Sequence, residues 1–153
     1  MTPSTYYTQG YYNLINPPKY RGTFPIVYRS RPEYMIMRWL DLNPHVLSWT
    51  SENTVIPYRR PQDNMCHRYY VDFSCQYQDS HGEVSTMLLE YKPKKFTVPP
   101  VKTKRMSQRT YVNLCETWSK NQAKWAAAKD FANAHNAKFL VISEEHIGLE
   151  CNK

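Results

Sequence analysis

The sequence predicts an α/β domain in the order helix, three strands, helix, strand. Two segments of helical period carry capping residues at their ends, and short alternating segments rich in Val, Tyr and Phe lie between them. The run KFLVIS after the second helical segment is apolar enough for a buried strand. The chain has 153 residues, 41% hydrophobic, 14% aromatic and 22% charged, a composition suited to one globular domain. At that length roughly two-thirds of the unfolded surface is buried on folding, and no disulfide framework is required.

Residues 1–22 are rich in Tyr, Pro, Asn and Gly and show no sustained period, so they read as an extended arm before a domain at 23–147 and a short tail at 148–153. The arm's tyrosines, Tyr6, Tyr7, Tyr11 and Tyr12, suit either docking on a partner or packing back on the domain. The first helix is expected at 31–42, with Ser30 as its cap, Pro32 in its first turn and Asn43-Pro44 as its stop. Ile36, Met37 and Leu40 follow Glu33 at i+3, i+4 and i+7, placing a carboxylate at the head of an apolar stripe. Ser30-Arg-Pro-Glu33 is equally a capping box, in which Glu33 reaches back to the Ser30 backbone N–H.

VLSWT and NTVIPY read as short extended runs, followed by the turn-rich RRPQDN. HRYYVDFSCQY, residues 67–77, reads as one strand with Tyr69, Val71, Phe73 and Cys75 on one face and Asp72 on the more polar other. After turn residues Asp79 to Gly82, the strand EVSTMLLEYK places Val84, Leu88, Glu90 and Lys92 on one face, and Pro93 ends it. A basic, proline-containing loop leads to a long helix at about 109–135, with an inner stripe of Leu114, Cys115, Trp118, Gln122, Trp125 and Ala132 and Asn136 as a left-handed stop.

The N-terminus MTPSTYYTQG has neither a basic nor an apolar leader region, and no run reaches the eighteen or so apolar residues of a membrane span, so a soluble, non-exported protein is expected. Cys66, Cys75, Cys115 and Cys151 show no CxxC spacing and are expected as thiols; Cys66, His67, Cys75 and His81 fit no standard zinc finger. Net charge is +7, and it is concentrated. Between Tyr91 and Lys129 ten Lys or Arg face one acid, Glu116, for a local balance of +9. Such a patch suits a polyanion, above all nucleic acid.

The stretch MLLEYKPKK raises the question of chemistry, because an apolar run bound for the core there carries Glu90 and Lys92. With the preceding turn centred on His81, residues whose numbers sum to 162 face each other, and Asp72 lies opposite Glu90. Their Cβ atoms then approach to about 4.5–5.5 Å. At an effective dielectric of about 20, two carboxylates about 5 Å apart repel by roughly 3 kcal/mol, which Lys92 or a hard divalent cation such as Mg2+ (or Mn2+) would offset. A one-residue slip of register would put the acids on opposite faces.

Val71-Asp72, seventeen residues, then Glu90-Tyr91-Lys92 resembles the PD-(D/E)XK nuclease signature. More closely, FPIVYRSRPEYMIMRWLDLNP, HRYYVDF, LLEYKPK and KWAAAKDFANAHNAKFLVISEE resemble the head completion nucleases of T-even-like phages, similar in turn to transposon-end endonuclease subunits. The resemblance implies a restriction-endonuclease-like core, a mixed sheet flanked by helices. It implies Glu33, Asp72 and Glu90 as metal-binding acids and Lys92 as the motif lysine, serving Mg2+- or Mn2+-dependent hydrolysis of DNA phosphodiesters. Val71 replaces the motif proline, and Gln122 is followed four residues on by Ala126, so the glutamine-tyrosine pair of the exonuclease branch is missing. Lys94, Lys95, Lys102, Lys104 and Arg105 are expected to track the backbone of double-stranded DNA. The implied setting is the host cytoplasm during assembly and the virion neck, with portal and neck proteins as partners. The alternatives are a non-catalytic neck adapter holding the DNA end, which an Asp72/Glu90 double alanine variant would leave functional, and a transposition or repair endonuclease outside phage, which neighbouring genes would reveal.

Overall fold

A computed structural model of the chain describes residues 9–147. In chain order the elements are β1 (Gly10–Tyr11), β2 (Val27–Tyr28), α1 (Arg31–Leu42), β3 (Val46–Ser51), β4 (Val55–Arg60), β5 (Met65–Tyr70), β6 (Phe73–Gln78), β7 (Val84–Tyr91), α2 (Gln108–Ala134) and β8 (Ala137–Ile142). The central sheet runs β3-β6-β7-β8, antiparallel except for the parallel pair β7/β8, so it is mixed. Helix α1 packs on one face with Ile36, Met37 and Leu40 against Val46, Trp49, Phe73 and Leu89. On the other face α2 sets Trp125, Ala128 and Ala132 against Leu88, Val71 and Tyr69. The expected order of two helices and four strands is therefore the core, with the β4/β5 ribbon as an addition packed on α2. No described helix is long and apolar enough to cross a membrane.

Helix α1 occupies the expected residues. Ser30 is extended, its hydroxyl accepts the Glu33 N–H at 3.3 Å, and the Asn43 N–H closes the helix on the Trp39 carbonyl. The Glu33 carboxylate does reach back, but to the Arg29 N–H at 2.9 Å rather than to Ser30.

The single strand expected at 67–77 is two strands. Glu52 takes a positive φ of 52°, and the β3–β4 side of the long hairpin carries one extra residue, shifting the pairing between Ser51↔Phe73 and Val55↔Tyr70. The bend is held by Val71 N–H to Thr54 O (3.0 Å) and Glu52 N–H to Asp72 O (2.9 Å). A bulge of this kind twists and re-aims the chain. In consequence Tyr69 and Val71 pack toward α2, whereas Phe73 and Cys75 pack toward α1.

Two further expectations are corrected. The inner stripe of α2 runs through Leu114, Trp118, Asn121, Trp125, Ala128 and Ala132, steps of four and three, and Gln122 is exposed. One position on a helix is a rotation of about 100°, enough to carry Gln122 into solvent. The described part of the N-terminal arm belongs to the domain. Tyr12 and Tyr20 are buried edge-on against Trp49, β1 pairs with β2, and Arg21 N–H bonds to Trp49 O at 2.9 Å. Tyr11 is exposed, and Tyr6, Tyr7 and the tail at 148–153 lie outside the described residues. Cys66, Cys75 and Cys115 are free thiols; Cys151 lies outside the described residues.

Candidate active site

The β6/β7 hairpin has the expected register, with Phe73 opposite Leu89 and Ser74 opposite Leu88. Its turn is built by Asp79, whose carboxylate accepts the N–H groups of His81 (2.8 Å) and Glu83 (2.9 Å), and by Gly82 at φ +81°. That φ is open to glycine without steric penalty. Asp72 precedes the first paired residue of β6, and its Oδ2 accepts the Tyr91 N–H at 2.9 Å. The hairpin thus ties Asp72 to the residue after Glu90. Parallel pairing of Glu90 with Val141, and the bond from Lys92 N–H to Ile142 O (2.9 Å), hold the far side of β7.

Glu90 is 5% exposed and points with Leu88 toward α2. Its Oε1 lies 3.8 Å from Lys92 Nζ, while its Oε2 is buried with no hydrogen-bond partner. The Tyr69 hydroxyl is likewise buried and unpartnered. Burial pushes the Glu90 carboxyl up, against the opposing pull of Tyr69, Lys92, the Asp72 backbone and Lys124. Asp72 is pushed well up, first by burial and then by the charge of Glu90, with the Tyr91 N–H and Lys92 opposing. A buried Glu90 and a half-buried Asp72 that both resist ionising form a site short of positive charge.

Glu33, at the head of α1, is also pushed up by burial, opposed by the Arg29 backbone and guanidinium. Its charge acts on Asp72 and feels Lys92, so it shares the field of the pair. It does not complete a cage: among the described residues no three His, Cys, Asp or Glu side chains close on one point as metal ligands.

The structure adds residues that sequence reasoning missed. Lys124 of α2 lies over the rings of Tyr69 (5.4 Å) and Tyr58 (5.8 Å); burial pushes its ammonium down, while Glu90 pulls it up. Tyr69 stands beside Glu90, and Arg29 pairs with Glu52 near Glu33 and Asp72. Lys124 belongs to the +9 segment, but nothing in its spacing distinguishes it from Lys120 or Lys129. Of the expected DNA-contacting residues, Lys94 pairs with Glu145, Lys95 lies over the Phe96 ring at 5.0 Å, and Lys102 reaches Met106 O at 3.3 Å. Lys104 and Arg105 are exposed on the same loop.

Hard carboxylate oxygens, an unpartnered buried Oε2 and two raised carboxyls fit a divalent cation that prefers oxygen ligands. Asp72, Glu90, Lys92 and Lys124 all fall within residues 43–144, which match the model of the family described as TnsA-like endonuclease N terminal; Glu33 lies before it. The chain is also 38% identical over 134 residues to the head completion nuclease of Enterobacteria phage T4, a match covering 85% of this chain and 87% of that protein. No solved structure matches. The family match spans more than half of the chain and the identity extends over most of each protein: the chain belongs to the TnsA-like endonuclease N-terminal family.

Proposed function

We propose that Asp72 and Glu90, flanked by Glu33, Lys92 and Lys124, form the catalytic centre of a metal-dependent DNA nuclease that processes the packaged DNA end in phage head completion. The enzyme hydrolyses DNA. The observation that carries the assignment of the centre is the pairing of the buried Glu90, whose Oε2 makes no hydrogen bond, with Asp72 across the hairpin and Lys92 at 3.8 Å. Asp72 and Glu90 would hold the ion, with Glu33 near enough to bias it. A divalent cation held there would supply the positive charge that offsets their repulsion and polarises phosphate and water.

The chain's own residues do the rest. Asp72 is oriented by the Tyr91 N–H, and Glu90 is fixed by the strand between β6 and β8. Lys92 Nζ lies 3.8 Å from Glu90 Oε1, which sets a cation beside the acids, where it stabilises charge on the phosphoryl oxygens. Replacing it with methionine is expected to lower kcat and kcat/KM together by about 10²–10³-fold. Steady-state cleavage kinetics check this; a rise in KM with kcat unchanged would reduce Lys92 to a ground-state phosphate anchor.

The loop of Lys102, Lys104 and Arg105 extends the site along the phosphate backbone of double-stranded DNA. A triple alanine variant should weaken binding equally across sequences and flatten the log–log salt dependence by about 2–3. An unchanged slope in a titration over ionic strength would remove the loop from the interface. The setting is assembly in the host cytoplasm, with portal and neck proteins as partners and head-to-tail joining as the outcome. Incubating purified protein with circular and linear DNA, in Mg2+, Mn2+ or EDTA, tests the central reading. Nicking or cutting only with a divalent ion supports it; binding without cleavage under every metal would leave a DNA-holding adapter.

A further inference from the structure

Beyond the acid pair, the basic loop folds back over the first half of α2. Phe96, Pro100 and Val101 of the loop and Leu114, Trp118 and Asn121 of the helix line a cavity of about 440 Å3. That volume is in the range of small-ligand pockets, about 300–1,000 Å3. Asn121 is 5% exposed and occupies a core position of the α2 stripe. Its side-chain amide has no hydrogen-bond partner among the described groups, and its polar atoms are not sealed away like Glu90 Oε2 but open on the cavity they line. An amide that opens on a cavity with its donors and acceptor unused is placed to hold a polar occupant there.

We infer that this cavity receives an unpaired nucleobase of the DNA, held by the Asn121 amide and stacked on the Trp118 or Phe96 ring. Base edges carry the paired donor and acceptor that a carboxamide matches, and aromatic rings give every base a surface for stacking. A base inside a duplex has its pairing edge engaged, so the occupant is an unpaired one, at a tail or a frayed end. Charge selects nucleic acid over an apolar peptide. No carboxylate lines the cavity, Lys95 lies over Phe96 at its mouth, and Lys102, Lys104 and Arg105 follow on the same loop.

The pocket is also placed to matter for cleavage. Asn121 is three residues, nearly one helical turn, from Lys124, whose charge acts on Glu90. Phe96 follows Lys92 by four residues, at most about 14 Å of extended chain. A base seated here therefore fixes which phosphate, a few nucleotides away, lies over the acids. This inference rests on the DNA-nuclease reading and adds a selection for ends that carry single-stranded bases.

The test measures binding by fluorescence anisotropy of the full chain in EDTA, so that no cleavage intervenes. Three DNAs are compared: a blunt duplex, the same duplex with a short single-stranded tail, and one whose tail is abasic. The expected result is about tenfold tighter binding of the base-bearing tail than of the abasic one, the scale of one stacked base. Asn121→Leu, an apolar change of similar size, and Phe96→Ala in the loop should each abolish that difference while leaving the blunt duplex unaffected. Equal binding of the two tails by the wild type, or a preference that survives both variants, overturns the proposal and leaves the cavity to an assembly partner. Glu90→Gln should keep the preference while losing cleavage, so failure of the catalytic assignment is read separately. If no DNA binds at all, the nucleic-acid reading fails and this inference with it.

Discussion

Glu90→Gln is expected to lower DNA cleavage by at least about 10³-fold while leaving the metal-free protein as stable as the wild type at neutral pH, or more so. The two effects have one origin. Glu90 is buried with Oε2 unpartnered and its charge resisted by its surroundings, so ionising it works against the fold, and in the proposed centre that charge is what the chemistry requires. Exchanging the carboxylate for a neutral amide removes a charge from a buried site and offers a donor beside the unpartnered Tyr69 hydroxyl, a gain on the order of 1 kcal/mol. Asp72→Asn should lose activity similarly, because it keeps an oxygen for the Tyr91 N–H but not the charge.

The sign of the pH dependence follows from the raised carboxyls. Asp72 and Glu90 bind their protons more tightly folded than unfolded, so their contribution is fully present below the ordinary carboxylate range. It is lost as pH rises through the raised values. Metal-free wild type should therefore lose stability from mildly acidic pH toward neutrality, and Glu90→Gln should flatten that fall. Asp63 and Glu144, held low mainly by hydrogen bonds from backbone N–H groups, act with the opposite sign at lower pH. Urea denaturation across pH in EDTA, beside a cleavage assay, measures both. Cleavage by Glu90→Gln within a few-fold of wild type would remove Glu90 from the catalytic centre.

Asp41→Ala is expected to cost about 4 kcal/mol of folding stability, a large part of what a domain of this size possesses. Asp41 is wholly buried in the last turn of α1. Its carboxylate accepts the Tyr12 hydroxyl (2.8 Å), the Ile15 N–H (2.7 Å) and the Asn16 N–H (3.0 Å). Its backbone carbonyl takes the Asn16 amide (2.8 Å) and the Lys19 ammonium (2.9 Å). Removing the carboxylate leaves three donors without their partner, the Tyr12 hydroxyl among them buried, and hydrogen bonds to a charged acceptor are worth about 1.5–3 kcal/mol each. The same contacts fasten residues 12–19 to the domain, so limited proteolysis should open that segment first. A loss under about 1 kcal/mol in denaturant titration would show that the segment is held by its aromatic packing on Trp49 instead.

Local signals in the sequence were sufficient for several parts of this molecule. Ser30, Pro32 and Asn43-Pro44 delimit α1 because capping and stopping are chemistry of a few adjacent atoms. The Asp72–Glu90 register was legible for the same reason: the Asp79–Gly82 turn sets it, and alternation over two short strands carries it to both acids. The family likeness was carried by the order of elements and by Glu-x-Lys after an apolar run, and the mixed sheet was what that likeness implied.

What the tertiary structure alone decided depends on groups distant in sequence. The bend at Glu52 and Val71-Asp72 arises from one extra residue in a paired strand, which alternation in a single strand cannot register. The choice of Asn121 over Gln122 for the inner face of α2 turns on a rotation of one residue, set by how Trp118 and Trp125 seat against the sheet. Lys124 joins Glu90 only because α2 crosses that face of β7, and the tyrosine-rich arm is held by a carboxylate more than twenty residues away. The sequence by itself determined both helices, the register that sets Asp72 beside Glu90, and the lineage, since each is written in neighbouring residues or in a short register. Which cation and phenol, Lys124 and Tyr69, surround that pair was decided by packing, because surroundings are made by whichever side chains the fold brings together.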